Sequence, residues 1–166
     1  MTPPPRRSTS LTVKTLVAAF AFLLVTLSQL CAQQAKKPPL NVPQDATLFN
    51  GKWYYVYLEK GTWRRAQERC RKLGGQLACI HDAQTQEFIR KQSKGLDLWL
   101  GATDEKVEGL WMWVDGKEME FKAWFRGGPE GGRGNDFLLI GWGGRGWADR
   151  HEDFGCVGFI CEWPAK

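Results

Sequence analysis

The sequence predicts one small domain of mixed helix and strand, preceded by an export signal and carrying a long glycine-rich loop in its C-terminal third. Three observations carry this. Aromatic and β-branched runs at 52–58, 98–101 and 110–114 read as strands. Apolar residues at spacings of three and four, namely Trp63, Ala66, Cys70 and Leu73, read as one face of a helix. Nine glycines stand between Gly127 and Gly146, and each costs about 0.5–1 kcal/mol relative to Ala inside a helix or strand, so that stretch reads as loop.

With 166 residues, 43% hydrophobic and 25% charged, the chain has the length and composition of an ordinary globular domain with a real core. Nine tryptophans are not ordinary. They must serve either as large core units or as a contact surface.

The N-terminus carries Arg6, Arg7 and Lys14, then an apolar run over 16–30 with no charge until Lys36. That is the layout of a secretory signal peptide, and the run is short for a bilayer span of about 20 residues. Residues 1–32 are therefore expected to be cleaved at Ala32, with Ala35 as second choice. A retained signal anchor is the alternative and the one route to a membrane. Leu30 beside Cys31 argues against a lipid-modified N-terminus.

Losing residues 1–32 removes three cations and no acid, so the formal charge falls from +5 to +2. No Lys/Arg-rich run survives, which excludes the nucleic-acid partner that a basic whole chain would suggest. Cleavage also removes Cys31 and leaves Cys70, Cys79, Cys156 and Cys161. An even number in an exported chain favours disulfides, in three possible connectivities.

Residues 33–49, with Lys36, Lys37, Pro38, Pro39 and Pro43, read as a tether, and order is expected from near Leu48. After the 52–58 strand, Thr62 can cap a helix over 63–73 that Gly74 and Gly75 stop, which points Cys70 at the core. An apolar connector over 77–80 leads to Asp82 as N-cap of a second helix running to about Ser93, with Gly95 behind it. The 98–101 and 110–114 strands, with the turn at Asp115-Gly116, form a small antiparallel sheet. There is no internal repeat, low-complexity tract or Asn-x-Ser/Thr site.

The segment 124–163 is glycine-rich yet loaded with aromatics, arginines and carboxylates, and it closes on an apolar strand with two cysteines. It reads as a shaped, functional loop.

In order along the chain, TWRRAQERCRKLGGQLACIH, LWLGATD, LWMWVDG and the closing WAD…C…FICEW resemble the C-type lectin-like domain, over about residues 50–166. The resemblance implies a compact α+β fold with two helices, paired N- and C-terminal strands, and a second small sheet bearing a long loop region. It also implies a secreted or cell-surface protein. The family's long-range disulfide falls on Cys70 and Cys161. In its second bridge, Cys156 matches one partner, but Phe137 stands where the other cysteine belongs, while Cys79 occupies a position that is normally not cysteine. A compensating Cys79–Cys156 bridge is therefore expected.

In calcium-dependent members the loop supplies carboxylate and amide oxygens that hold Ca²⁺ and two sugar hydroxyls together. Calcium takes six to eight oxygens, and vicinal hydroxyls can complete its shell. Carried over here, the ligand positions fall on Gly128-Pro129-Glu130, on Asn135 beside Asp136, and on Ala148-Asp149. Gly128 and Ala148 bring no side-chain oxygen. Glu130, Asn135 and Asp149 remain, with Asp136 near, a depleted set that predicts weak calcium binding or none. The resemblance further implies a cis peptide before Pro129.

The competing expectation is a metal-free contact surface. Trp124, Phe125 and Trp142 could stack on a sugar ring, while Arg126, Arg133, Arg145 and Arg150 could fork onto carboxylate or sulfate. From Lys122 to Arg150 five cations face three acids, which suits an anionic glycan. Trp142, flanked by glycines, is the best exposed aromatic. Trp111 and Trp147 match core positions of the family.

Other chemistry finds little support. Gly141 to Gly146 matches G-x-G-x-x-G but lacks a following helix and a βαβ frame. His81 reads as a structural hydrogen-bonding residue, and His151-Glu152-Asp153 are too close in sequence to converge on one ion easily. Nothing marks a nucleophile or a carboxylate pair, so no enzyme is expected. The sequence predicts a binding module for carbohydrate or for an extracellular protein.

Overall fold

The structure is a computed structural model and describes residues 37–132, 134–141 and 145–165. The expected signal peptide, Arg133 and Trp142 lie outside these residues.

Two helices flank one sheet. Helix α1 (Trp63–Lys72) starts where Thr62 Oγ1 accepts the Arg65 N–H and buries Trp63, Ala66, Gln67 and Cys70. Helix α2 (Ala83–Ser93) is capped by Asp82, whose carboxylate accepts the Thr85 N–H at 2.7 Å. Both helices begin at the expected caps.

The strands are β1 (Thr47–Phe49), β2 (Lys52–Tyr57), β3 (Gln76–Leu77), β4 (Leu98–Thr103), β5 (Met112–Trp113), β6 (Phe137–Gly141), β7 (Gly146–Arg150) and β8 (Gly158–Pro164). They form one sheet in the order β1-β2-β8-β4-β6-β7, with β3 paired to β8 and β5 to β4. β2 runs antiparallel to β8, as expected of the first and last strands. The expected second small sheet is joined to it through the parallel β4–β8 pairing, Leu98 opposite Gly158. A Cβ on Gly158 would lie 2.0 Å from the Tyr57 carbonyl oxygen, so only glycine lets β2 and β8 approach here.

Successive strand residues face opposite sides. Leu138 and Ile140 enter one apolar cluster with Ile89 of α2, whereas Phe137 and Leu139 enter another with Ala66 and Cys70 of α1. A strand buried on both faces needs a continuous apolar run rather than an alternating one. That is why 137–140 reads FLLI and why this part of the expected loop is a strand. The glycines lie on either side of it, and β6 and β7 pair as antiparallel strands around residues 142–144.

Two further expectations are corrected. Order begins before Leu48: Val42 is buried, Asn41 Nδ2 donates to the Leu73 carbonyl, and β1 pairs with β2. Val42 and Ala46 pack on the same apolar cluster and dock that stretch. The Cys79–Cys156 bridge is not formed. Both are buried free thiols packed in different clusters, Cys79 with Ile80 and Ile89, Cys156 with Phe137 and Cys70. The Cys70–Cys161 disulfide is present, with Cα atoms 5.7 Å apart.

Tryptophan fills the core. Trp53, Trp63, Trp99, Trp111, Trp113, Trp147 and Trp163 are all buried. Several indole N–H groups anchor neighbouring elements: Trp63 to the Leu100 carbonyl at 2.7 Å, Trp99 to Gly61 at 3.0 Å, and Trp163 to Leu73 at 3.0 Å.

Candidate functional site

The chain leaves the Trp111–Trp113 region and returns along Trp147. Phe125 donates to the Trp147 carbonyl and Trp147 donates to the Ala123 carbonyl, both at 2.9 Å. The indole of Trp147 is in turn held by Gln86 Oε1 of α2 at 2.8 Å. From this rigid root the 126–135 loop projects, with Arg126 at φ +47° and a cis Gly128–Pro129 peptide, as the resemblance implied.

Trp124 is half-buried rather than displayed among the glycines. Its ring packs edge-on against Trp111 and Trp147, with centroids 5.0 and 5.9 Å away, so it belongs to the packing. Phe125 and Arg126 lie further out, the guanidinium 5.2 Å from the ring centroid. With Gly127 to Glu130 they line a cleft of about 340 Å³. Arg145 is exposed on the turn between β6 and β7.

Asp149 lies underneath. It is fully buried, and its two carboxylate oxygens accept the N–H groups of Glu130 at 2.7 Å and Gly131 at 2.8 Å. Gly131 has φ +69°, a conformation that glycine adopts at little cost. The Glu130 carboxylate pairs with Arg150 Nη1 at 3.0 Å, and the same nitrogen donates to the Asp149 carbonyl at 2.7 Å. Arg150 also lies over Phe154, 5.4 Å from its centroid.

Of the four expected calcium ligands, the structure thus joins Glu130 and Asp149 through backbone amides and an arginine. Asn135 donates its N–H to the Gly132 carbonyl, and the Asp136 carbonyl accepts from Asp104 N–H. These residues do not fit a calcium ion. Both Asp149 oxygens are already engaged, Glu130 is paired to a cation, and Gly128 and Ala148 bring no side-chain oxygen, against the six to eight oxygens calcium takes. Among the described residues no group of three or more His, Cys, Asp or Glu is arranged to hold a metal.

His81 bonds Asp115 Oδ2 at 2.8 Å, the structural role its sequence position suggested. A larger hollow lies elsewhere, a groove of about 710 Å³ between α1 and the 103–116 segment, with Trp63, Val107, Leu110 and Met112 in its walls. No motif marked it, because its apolar residues come from segments far apart in sequence. The 125–130 cleft is smaller but combines an aromatic, a cation and the exposed Glu130 carboxylate, the mixture of apolar and convergent polar groups that ligand sites use.

A two-helix α+β domain clasped by a disulfide between first helix and last strand, with a cis-proline loop rooted on a tryptophan, has the C-type lectin-like architecture. The family model described as "Lectin C-type domain" matches residues 59–162. The chain is 30% identical to "Hepatic lectin" of Gallus gallus over 118 residues, which are 70% of this chain and 56% of that protein. It spans only 17% to 56% of the length of this and two other curated relatives. Among solved structures it resembles the mouse scavenger receptor C-type lectin carbohydrate-recognition domain, with TM-score 0.70, 31% identity, and coverage of 75% of this chain and 97% of that one. It also resembles a Ca²⁺-dependent type II antifreeze protein in its Ca²⁺-free form, with TM-score 0.67, 30% identity, and coverage of 73% and 98%. The chain belongs to the C-type lectin domain family, and is a lectin-like ligand-binding module.

Proposed function

We propose that the protein is secreted after removal of residues 1–32 and binds carbohydrate, with a preference for acidic glycans, through the 124–150 region and without calcium. The observation that carries this reading is the 125–130 cleft, where Arg126 stacks on Phe125 beside the Glu130–Arg150 pair. An aromatic face suits a sugar ring, and a guanidinium suits carboxylate or sulfate. Arg145 completes the ligand surface in this reading, with Trp142 assigned to it from the sequence alone, while Glu130, Asn135 and Asp149 shape it. The resemblance to a carbohydrate-recognition domain supports it too.

In this reading the module binds without catalysing, as C-type lectin domains generally do. Export agrees with the Cys70–Cys161 disulfide, since such bonds persist in oxidising compartments. Among the described residues no helix is long and apolar enough to cross a membrane.

A protein-interaction module is the second reading, favoured by the apolar groove beside α1. A glycan array read in calcium chloride and again in EDTA separates the two. Binding of sulfated or uronic-acid glycans in both buffers supports the proposal, and binding lost in EDTA contradicts its metal-free part. No glycan binding in either buffer favours the protein-interaction reading. Trp142→Ala and Arg126→Ala should each weaken glycan binding by more than about 1 kcal/mol if they are hot spots.

A further inference from the structure

One of the oxygens that the family resemblance assigns to calcium, on the Glu130 carboxylate, meets a side chain here. Arg150 Nη1 lies 3.0 Å from Glu130 Oε2 and 2.7 Å from the Asp149 carbonyl oxygen. Only 16% of the Arg150 side chain is exposed, against 59% for Glu130, so the cation is the sheltered partner. Its guanidinium also lies over the Phe154 ring. The Asp149 carboxylate is occupied by the loop itself, each of its two oxygens accepting one backbone amide.

We propose that Arg150 is the resident cation of this loop. Its guanidinium ties the Glu130 side chain to the β7 backbone, Asp149 ties the Glu130 and Gly131 backbone to the same strand, and the two ties together close the loop. The substitutions fit one another. The position that follows Pro129 is a carboxylate, and a cation of fixed charge stands directly after Asp149 to meet it. The cation is part of the chain, so this closure does not wait for a metal. Arg150 is thus a positioning residue, acting through Glu130 on the cleft wall.

The test uses no sugar, so its outcome is independent of the carbohydrate reading. Amide exchange at Glu130 and Gly131 and the thermal midpoint are measured for the mature chain in EGTA and in calcium chloride. The expected result is protected amides and one unchanged midpoint in both. Arg150→Gln should speed exchange at these two amides roughly tenfold, as for loss of a charge-assisted pair, and Arg150→Lys should recover part of the protection. Glu130→Gln, at an exposed side chain whose loss leaves the core untouched, should reproduce the Arg150→Gln effect even if the latter folds poorly. Amides protected only in calcium, a midpoint that rises saturably with calcium, or indifference of both amides to Arg150→Gln and Glu130→Gln would overturn the proposal.

Discussion

The buried carboxylate of Asp149 accepts the backbone N–H of Glu130 at 2.7 Å, joining positions 19 apart in sequence and anchoring the loop to β7. Its other oxygen takes the Gly131 N–H. Asp149→Ala would leave both donors unpaired, and hydrogen bonds to charged groups contribute about 1.5–3 kcal/mol. A loss of about 3 kcal/mol in denaturant unfolding is expected, with a smaller loss for Asp149→Asn, which keeps one acceptor. A loss below about 0.5 kcal/mol for Asp149→Ala would show that the loop is held by other means.

The Cys70–Cys161 disulfide closes a segment with a sequence separation of 91. A cross-link of that span restricts the unfolded chain by about 4–5 kcal/mol in the entropy model, with measured values commonly lower. The Cys70→Ala, Cys161→Ala double variant should lose about 2–5 kcal/mol. Equal unfolding midpoints for the variant and the oxidised wild type would contradict this.

Burial raises the thiols of both Cys79 and Cys156 well above their ordinary range, with nearby carboxylates adding to it. Thiolate is the reactive form, so neither cysteine should react with iodoacetamide in the native protein at mildly alkaline pH. Both should react once it is denatured without reductant. Peptide mapping reads this directly, and a Cys79–Cys156 cross-linked peptide would contradict the structure.

The Asp82 carboxyl is held below its ordinary value of 3.8, chiefly by accepting the Thr85 N–H. A carboxylate depressed on folding contributes stability that is complete above its unfolded pKa and lost as pH falls through the folded one. Asp82→Ala should therefore cost about 1 kcal/mol at neutral pH, the usual size for an N-cap, and the gap should close as the solution is acidified well below 3.8. A gap that stays constant with pH would assign the loss to something other than the charged cap.

Local chemistry made both helices legible. Thr62 and Asp82 are short oxygen-bearing caps at the head of apolar periodicity, and Gly74 and Gly75 end the first helix, so each boundary is written within a few residues. The β6–β7 pairing was hidden because counting glycines over 127–146 averaged across a glycine-free run, 135–140, of which 137–140 are buried on both faces. Site residues were partly legible. Glu130 and Asp149 were singled out from the family pattern, but their partnership with Arg150 depends on a strand pairing that brings positions 20 apart together. Trp124 and Trp142 looked alike as aromatics near glycines. Only packing against Trp111 and Trp147 reveals Trp124 as part of the core boundary.

The most direct measurement is a calorimetric titration of a sulfated oligosaccharide into the mature protein, in EDTA and in calcium chloride. The account predicts the same Kd in both buffers, weakened by Arg126→Ala and by added salt, since exposed charge pairs are screened. Binding seen only in calcium, or seen equally with Arg126→Ala, would contradict it.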